Sequence, residues 1–234
     1  AAAPADPAAA PGKPALALTM YGVTTPCLTE IRRRLEADFD CLVFHATEQG
    51  RLAIQKLNAS KLTAATLDIT TTQLAVFTPG LERANSAYFD AAIQSGRPWV
   101  GSVGAMDMVN FGPPETLPAH LKHRLFYRHN ALATLMRTDR AENAALGQWL
   151  GEQLNRFDAP VRLLLPERGV SAIDAAGQPF FDPAADAALF EALEKTLRPT
   201  RRRKLIRLNR HINDPEFAAA VVEQFQAVAA AACP

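Results

Sequence analysis

Apolar positions fall in two rhythms along this chain. Short runs of aliphatic and β-branched residues predict strands at Ala15–Tyr21, Cys41–Ala46, Ala65–Ile69, Trp99–Val103, Arg124–His129, Val161–Leu165 and Lys204–Asn209. Between them, longer stretches repeat their apolar positions every three or four residues. These predict helices at Pro26–Asp38, Arg51–Ser60, Leu81–Ser95, Arg140–Arg156, Pro183–Leu197 and Pro215–Ala232. Strands alternating with helices imply an α/β class: a three-layer, Rossmann-like domain whose mainly parallel sheet carries helices on both faces.

Helix starts agree with this division. Thr25-Pro26, Asp182-Pro183 and Asp214-Pro215 each place a capping side chain before a proline at the first helical position. Asp139 followed by Glu142 matches a capping box with Asp in the leading place.

The residues just after each strand are polar, whereas the turns that enter the strands are plain. In a parallel sheet all carboxyl ends share one edge, and ligands bind there where strand order reverses. The residues gathered on that rim are therefore the candidate ligand-binding set: Thr24, Thr25, His45, Thr47, Asp68, Thr70, Thr71, Thr72, Gly104, Asp107, Asn110, His129, Asn130, Arg168, His211, Asn213 and Asp214. Taken singly, each residue is as well explained as a cap or a satisfied hydrogen-bonding group. Their convergence is the argument for a site. The first turn, Tyr21 to Pro26, delivers a helix amino terminus to the crevice and is the expected anion site, with Thr24, Thr25 and the Thr70–Thr72 run as donors. It matches neither the dinucleotide fingerprint nor the P-loop. Asp107, His129 and His211 are the candidates for polarising a substrate or accepting a proton. The stretch from Gly104 to His123 reads as a long irregular segment, either a lid or a surface excursion packed by Phe111 and Leu117.

Composition narrows the partners. The chain has 234 residues, and 25 Lys and Arg against 24 Asp and Glu leave a net charge of +1. Nucleic acid is therefore not an expected partner. The single dense basic run, Arg201-Arg202-Arg203-Lys204, reads as a solvated edge. No apolar run is long enough for a membrane span. The three cysteines, Cys27, Cys41 and Cys233, have neither disulfide-framework nor metal-ligand spacing, and they suit reduced thiols in a cytoplasmic protein. Cys27 beside a helix start and His45 form a conceivable nucleophile pair, with a small core residue as the plainer account of Cys27. No residue is assigned as a protein ligand to metal. Residues 1–14 are rich in Ala and Pro and read as a linker or tail, which leaves residues 15–234 as one α/β domain, the second of a longer chain.

Several strings match one family together. They are Met20 to Cys27, Val43 to Thr47, Leu67 to Thr72, Ser102 to Pro118, Leu135 to Thr138, Arg168 to Asp174, Asp182 to Leu193, and His211 to Pro215. The chain resembles the C-terminal half of the Tm-one-like ATP-binding family, an uncharacterised family that includes the tomato mosaic virus resistance protein. The resemblance implies a second Rossmann-like domain behind another α/β domain, and ATP with magnesium as the ligand. In two places the chain departs from the family pattern. Glu48-Gln49-Gly50-Arg51 stands where a glycine-rich stretch is usual, and Gln73 stands where an acid is usual, ahead of a shortened loop at Val76–Leu81. Both departures lie on the expected rim, and Glu48 puts negative charge where phosphate is otherwise welcome. The leading expectation is a domain that binds ATP or another phosphorylated small molecule in a crevice shared with a preceding domain. The alternatives are a hydrolase or transferase using His129 or His211, and a protein-interaction module whose nucleotide site has degenerated. A homo-oligomer is left open.

Overall fold

The computed structural model describes residues 12–72 and 86–230. In chain order the elements are β1 (Ala15–Met20), α1 (Thr25–Leu35), β2 (Asp40–His45), α2 (Glu48–Ala59), β3 (Ala65–Thr70), α3 (Asp90–Ser95), β4 (Trp99–Gly104), β5 (Met108–Phe111), β6 (Phe126–Arg128), β7 (Thr134–Arg137), α4 (Arg140–Leu154), β8 (Val161–Pro166), α5 (Pro183–Thr196), β9 (Arg203–Leu208) and α6 (Pro215–Ala230). Six strands form a parallel sheet in the order β2-β1-β3-β4-β8-β9. The order reverses between β1 and β3, so the switch point lies at their carboxyl ends.

Alternation along each strand sorts the side chains between two layers. Leu16 and Leu18 of β1, Ala65, Leu67 and Ile69 of β3, Val100 and Leu164 join Ile31 of α1 and Phe217, Val221 and Phe225 of α6 in one core. Trp99, Val103, Val161, Leu163 and Leu165 face the other way, into Leu146 and Leu150 of α4 and Leu189 and Leu193 of α5. The helix α2 packs beside α3 on this second face. Thr66 and Asp68 of β3 therefore point to the second layer while their neighbours are apolar and point to the first.

The parallel strands stand where the apolar runs place them, within one or two residues. The run at Arg124–His129 does not join that sheet. Its central residues form β6, which pairs antiparallel with β7 in a separate sheet of order β5-β7-β6. The segment after Gly104 is likewise not irregular throughout, because β5 and two short 3-10 turns occupy it. This small sheet sits over the rim: Met108 and Leu135 share a core with Val23 after β1 and Phe180 before α5.

Two expected caps are present. Asp182 accepts from the amides of Ala184 and Ala185 at 3.1 and 3.0 Å, and Asp139 and Glu142 close their capping box at 2.9 and 2.7 Å. Two differ. Thr25 is the first residue of α1 rather than its cap, and Asp214 turns its carboxylate back to the amide of His211 at 2.8 Å. The helix α2 starts at Glu48, earlier than its apolar period suggests. Residues 1–11 of the Ala/Pro stretch, residues 81–85 of the expected third helix, Gln73, Val76–Leu81 and Cys233 lie outside the described residues. Among the described residues no helix is long and apolar enough to cross a membrane.

Candidate functional site

The residues after β1 and β3 are knitted to each other. The Thr24 hydroxyl lies 2.7 Å from that of Thr70 and 3.0 Å from the Tyr21 carbonyl. The Thr70 amide also donates to Thr19 Oγ1 at 2.9 Å. Thr71 donates to the Ser102 carbonyl at 3.0 Å, and Thr72 reaches the Met108 carbonyl at 3.5 Å. All four of Thr24, Thr70, Thr71 and Thr72 are buried, at 2 % exposure or less. They staple the rim together and are not free donors for a ligand. Gly104 serves the same closeness: a Cβ there would stand 2.4 Å from the Ile69 carbonyl oxygen.

The amino terminus of α1 is also closed, against expectation. Asn213, from the loop before α6, offers its Oδ1 to the amide of Cys27 at 3.4 Å and its amide to the Val23 carbonyl at 3.0 Å. Thr25 is exposed, and its hydroxyl points back to the Tyr21 carbonyl at 3.2 Å. Cys27 is buried in the α1–α6 core with its thiol pushed up by burial, which removes it as a nucleophile paired with His45.

The second turn, between β2 and α2, is open. Thr47 caps α2 and is exposed, with its hydroxyl 3.5 Å from the Gly50 amide. His45 is exposed beside it, its ring 4.9 Å from that of Tyr21, and its ring nitrogens make no hydrogen bond among the described residues. Behind them is a cavity of about 30 Å³, room for a single water-sized group. His45, Thr47, Arg51, Gln55, Tyr88 and Trp99 contribute to its walls, with Asp68 inside. The Trp99 ring lies against Gly101, where a Cβ would come within 2.3 Å of it.

Asp68 is 3 % exposed and takes the hydroxyls of Thr19 at 2.8 Å and Tyr88 at 3.1 Å. Burial raises its carboxyl to about 6, against the pull of Thr19, Tyr88 and Trp99. Burial likewise pushes up the Tyr88 phenol. The cation of the cavity is Arg51. Its side chain is 12 % exposed, and among the described residues the carboxylate paired with it is Glu48 at 3.9 Å, beyond hydrogen-bond reach. The Glu48 side chain is 71 % exposed.

The other candidates lie apart from this cavity. His129 and Asn130 sit in the exposed β6–β7 hairpin turn, where Asn130 Oδ1 accepts from the Leu132 amide at 2.8 Å. They are not at a parallel-strand end. His211 has both ring nitrogens engaged: Nε2 donates to the Ser171 carbonyl at 2.9 Å and Nδ1 accepts from the Asn213 amide at 3.1 Å. That fixes the neutral tautomer and leaves no lone pair for a base. Asp107 is wholly buried and bonded to Ser171, so it meets no substrate. Asn110 is exposed and accepts from the Tyr21 hydroxyl. Arg168 is exposed, with its Nε on Asn209 at 2.9 Å, and it lines a different cavity. Among the described residues no three His, Cys, Asp or Glu side chains are placed to hold a metal ion.

A doubly wound α/β domain, with an open second turn at its carboxyl rim, is the class that fold and geometry define. The chain belongs to the uncharacterised protein family UPF0261: residues 13–229 match its C-terminal domain. It is 55 % identical over 219 residues to a UPF0261 protein of Rhizobium meliloti, covering 93 % of this chain and 55 % of that protein. It is 42 % identical over 216 residues to the ToMV resistance protein Tm-1 of Solanum lycopersicum, covering 92 % of this chain and 29 % of that protein. The ToMV susceptible protein of the same plant matches at 41 %, so likeness over this region does not track resistance. The chain spans about half the length of the bacterial relatives it matches.

Proposed function

We propose that this domain binds a small phosphorylated compound at the turn between β2 and α2, with Arg51 and the amino terminus of α2 facing its anionic group. The supporting observation is Arg51 itself. Its side chain is mostly buried, its guanidinium makes no hydrogen bond to a protein oxygen among the described residues, and its nitrogens are not sealed from water, so it can meet an anion at the mouth of the cavity. The cavity beside it is too small for a nucleotide, so the ligand lies across the mouth and inserts one group. ATP with hydrated magnesium is the ligand that the family resemblance suggests, in a crevice completed by the remaining half of a longer protein. Calorimetric titration of the full-length protein with ATP and magnesium, and separately with inorganic phosphate, tests this. Saturable heat that disappears in Arg51→Ala is the expected result. Heat unchanged by that substitution moves the site elsewhere. Catalysis by a rim histidine has less support, since His211 is engaged at both nitrogens and His129 lies in a hairpin turn.

A further inference from the structure

Beneath the small sheet, apart from the β2–α2 turn, lies a buried charge cluster. Arg137 of β7 is 4 % exposed, and three carboxyls surround it: Asp107 in the β4–β5 turn at 0 %, Asp174 in the β8–α5 loop at 0 %, and Asp186 of α5 at 7 %. Arg137 Nη2 stands 2.8 Å from Asp186 Oδ1 and 3.6 Å from Asp174 Oδ1. The other guanidinium donors go to neutral oxygens, chiefly the Phe180 carbonyl at 2.8 Å and Thr138 Oγ1 at 3.2 Å. Ser171 donates to Asp107 Oδ2 at 2.7 Å, and the Val170 amide to Asp174 Oδ2 at 2.9 Å. Among the described residues Asp107 Oδ1 and Asp174 Oδ1 accept no hydrogen bond. Fully ionised, the cluster would hold two excess negative charges away from water, with two bare carboxylate oxygens. A protonated carboxyl removes a charge and supplies the missing O–H donor.

We propose that the cluster is a proton-held latch, in which Asp186 retains a proton and donates it to Asp174, tying the β8–α5 loop to α5 around Arg137 of β7, and in which loss of that proton loosens the tie. Other groups on the surrounding elements do not supply a substitute charge. The Asp182 carbonyl at the cap of α5 accepts from Arg137 at 3.3 Å, and the His211 ring is taken up by the Ser171 carbonyl and the Asn213 amide. On the solvent side a cavity of about 160 Å³, flanked by Glu167, Arg168 and Arg207, opens onto Asp186 and gives the proton its route. Arg207 is already held by Glu167 at 2.7 Å and Glu194 at 3.1 Å. Burial and the Asp174 charge push Asp186 up to about 8, and the same causes push Asp107 to about 7, against the pull of Arg137.

The linkage has a definite sign. An unfolded aspartate releases its proton near pH ~4, whereas the native cluster holds it to higher pH, so each retained proton makes the unfolding constant rise about tenfold per pH unit across that interval. Above the native value the curve is flat. The experiment is urea unfolding of the whole chain from pH 5 to 9, wild type against Asp186→Asn, whose amide keeps a donor for Asp174. The wild-type constant is expected to rise with pH about tenfold per unit more steeply than the variant's between pH 5 and 7.5. Parallel curves overturn the latch. Carboxyl-carbon NMR titration of the wild type gives the answer without a variant: Asp186 titrating above pH 6.5 supports it, and titration below pH 5 overturns it. Hydrogen exchange reads the loosening. Protection of the β7 amides, corrected for intrinsic rate, is expected to fall between pH 6.5 and 8.5, and constant protection contradicts the latch.

Discussion

Two βα turns lie next to each other on the rim and have opposite fates. The turn after β1 carries threonines, a glycine and a helix start, the ingredients of an anion cradle, yet it is sealed. Its hydroxyls bond Thr70 and Tyr21, and Asn213 occupies its free amide. The turn after β2 carries an acid in its first helical position, yet it is open and holds a guanidinium that makes no hydrogen bond among the described residues. Local composition says which groups are available; only the neighbouring loops decide which of them remain free.

The contrast can be broken by substitution. Asn213→Ala leaves the Cys27 amide without its partner and takes one of two donors from the Val23 carbonyl, which keeps the Ala172 amide, and about 2 kcal/mol of stability should be lost with the two hydrogen bonds, as read by urea denaturation, with ligand affinity unchanged. A loss of affinity instead would return the site to the first turn. Arg51→Ala should weaken phosphate-ligand affinity at least ~10-fold, about 1.4 kcal/mol, while the denaturation midpoint stays near wild type. Glu48→Gln should tighten the same ligand about threefold at low salt, an effect that fades as salt screens the exposed carboxylate. Thr25→Val is the smallest change: its exposed hydroxyl reaches the Tyr21 carbonyl and the Met20 sulfur close by in the chain, so affinity and stability should move by less than about 0.5 kcal/mol.

The parallel sheet was legible because its strands are short segments built around aliphatic and β-branched residues, and the Asp182 and Asp139 caps because they act within one helical turn. The small sheet was hidden. Residues 108–109 and 134–137 are buried on both faces, so β5 and β7 lack the alternation that marks a half-buried strand. Reading Arg124–His129 as a further parallel strand came from the same loss of signal. At the proposed site, the candidates His45, Thr47 and Asp68 were readable as strand-end polar residues that line the cavity. Arg51 and Gln55 were missed because they sit inside α2, Trp99 because it opens β4, and Tyr88 because it precedes α3 instead of following a strand. A signal for them existed. Arg51, Gln55 and Asn58 repeat at helical spacing, and Thr66 and Asp68 alternate with apolar neighbours, so a polar stripe on a helix faces a polar stripe on a strand. The sealing of the first turn had no local signal, because Asn213 arrives from the far end of the chain.

Amide NMR titration of the full-length protein with ATP and magnesium compares the two turns directly. Shifts concentrated on Thr47, Gly50 and Arg51, with Gly22 to Cys27 nearly still, are the predicted result. Shifts confined to Gly22–Cys27, with Arg51 unmoved, would contradict it.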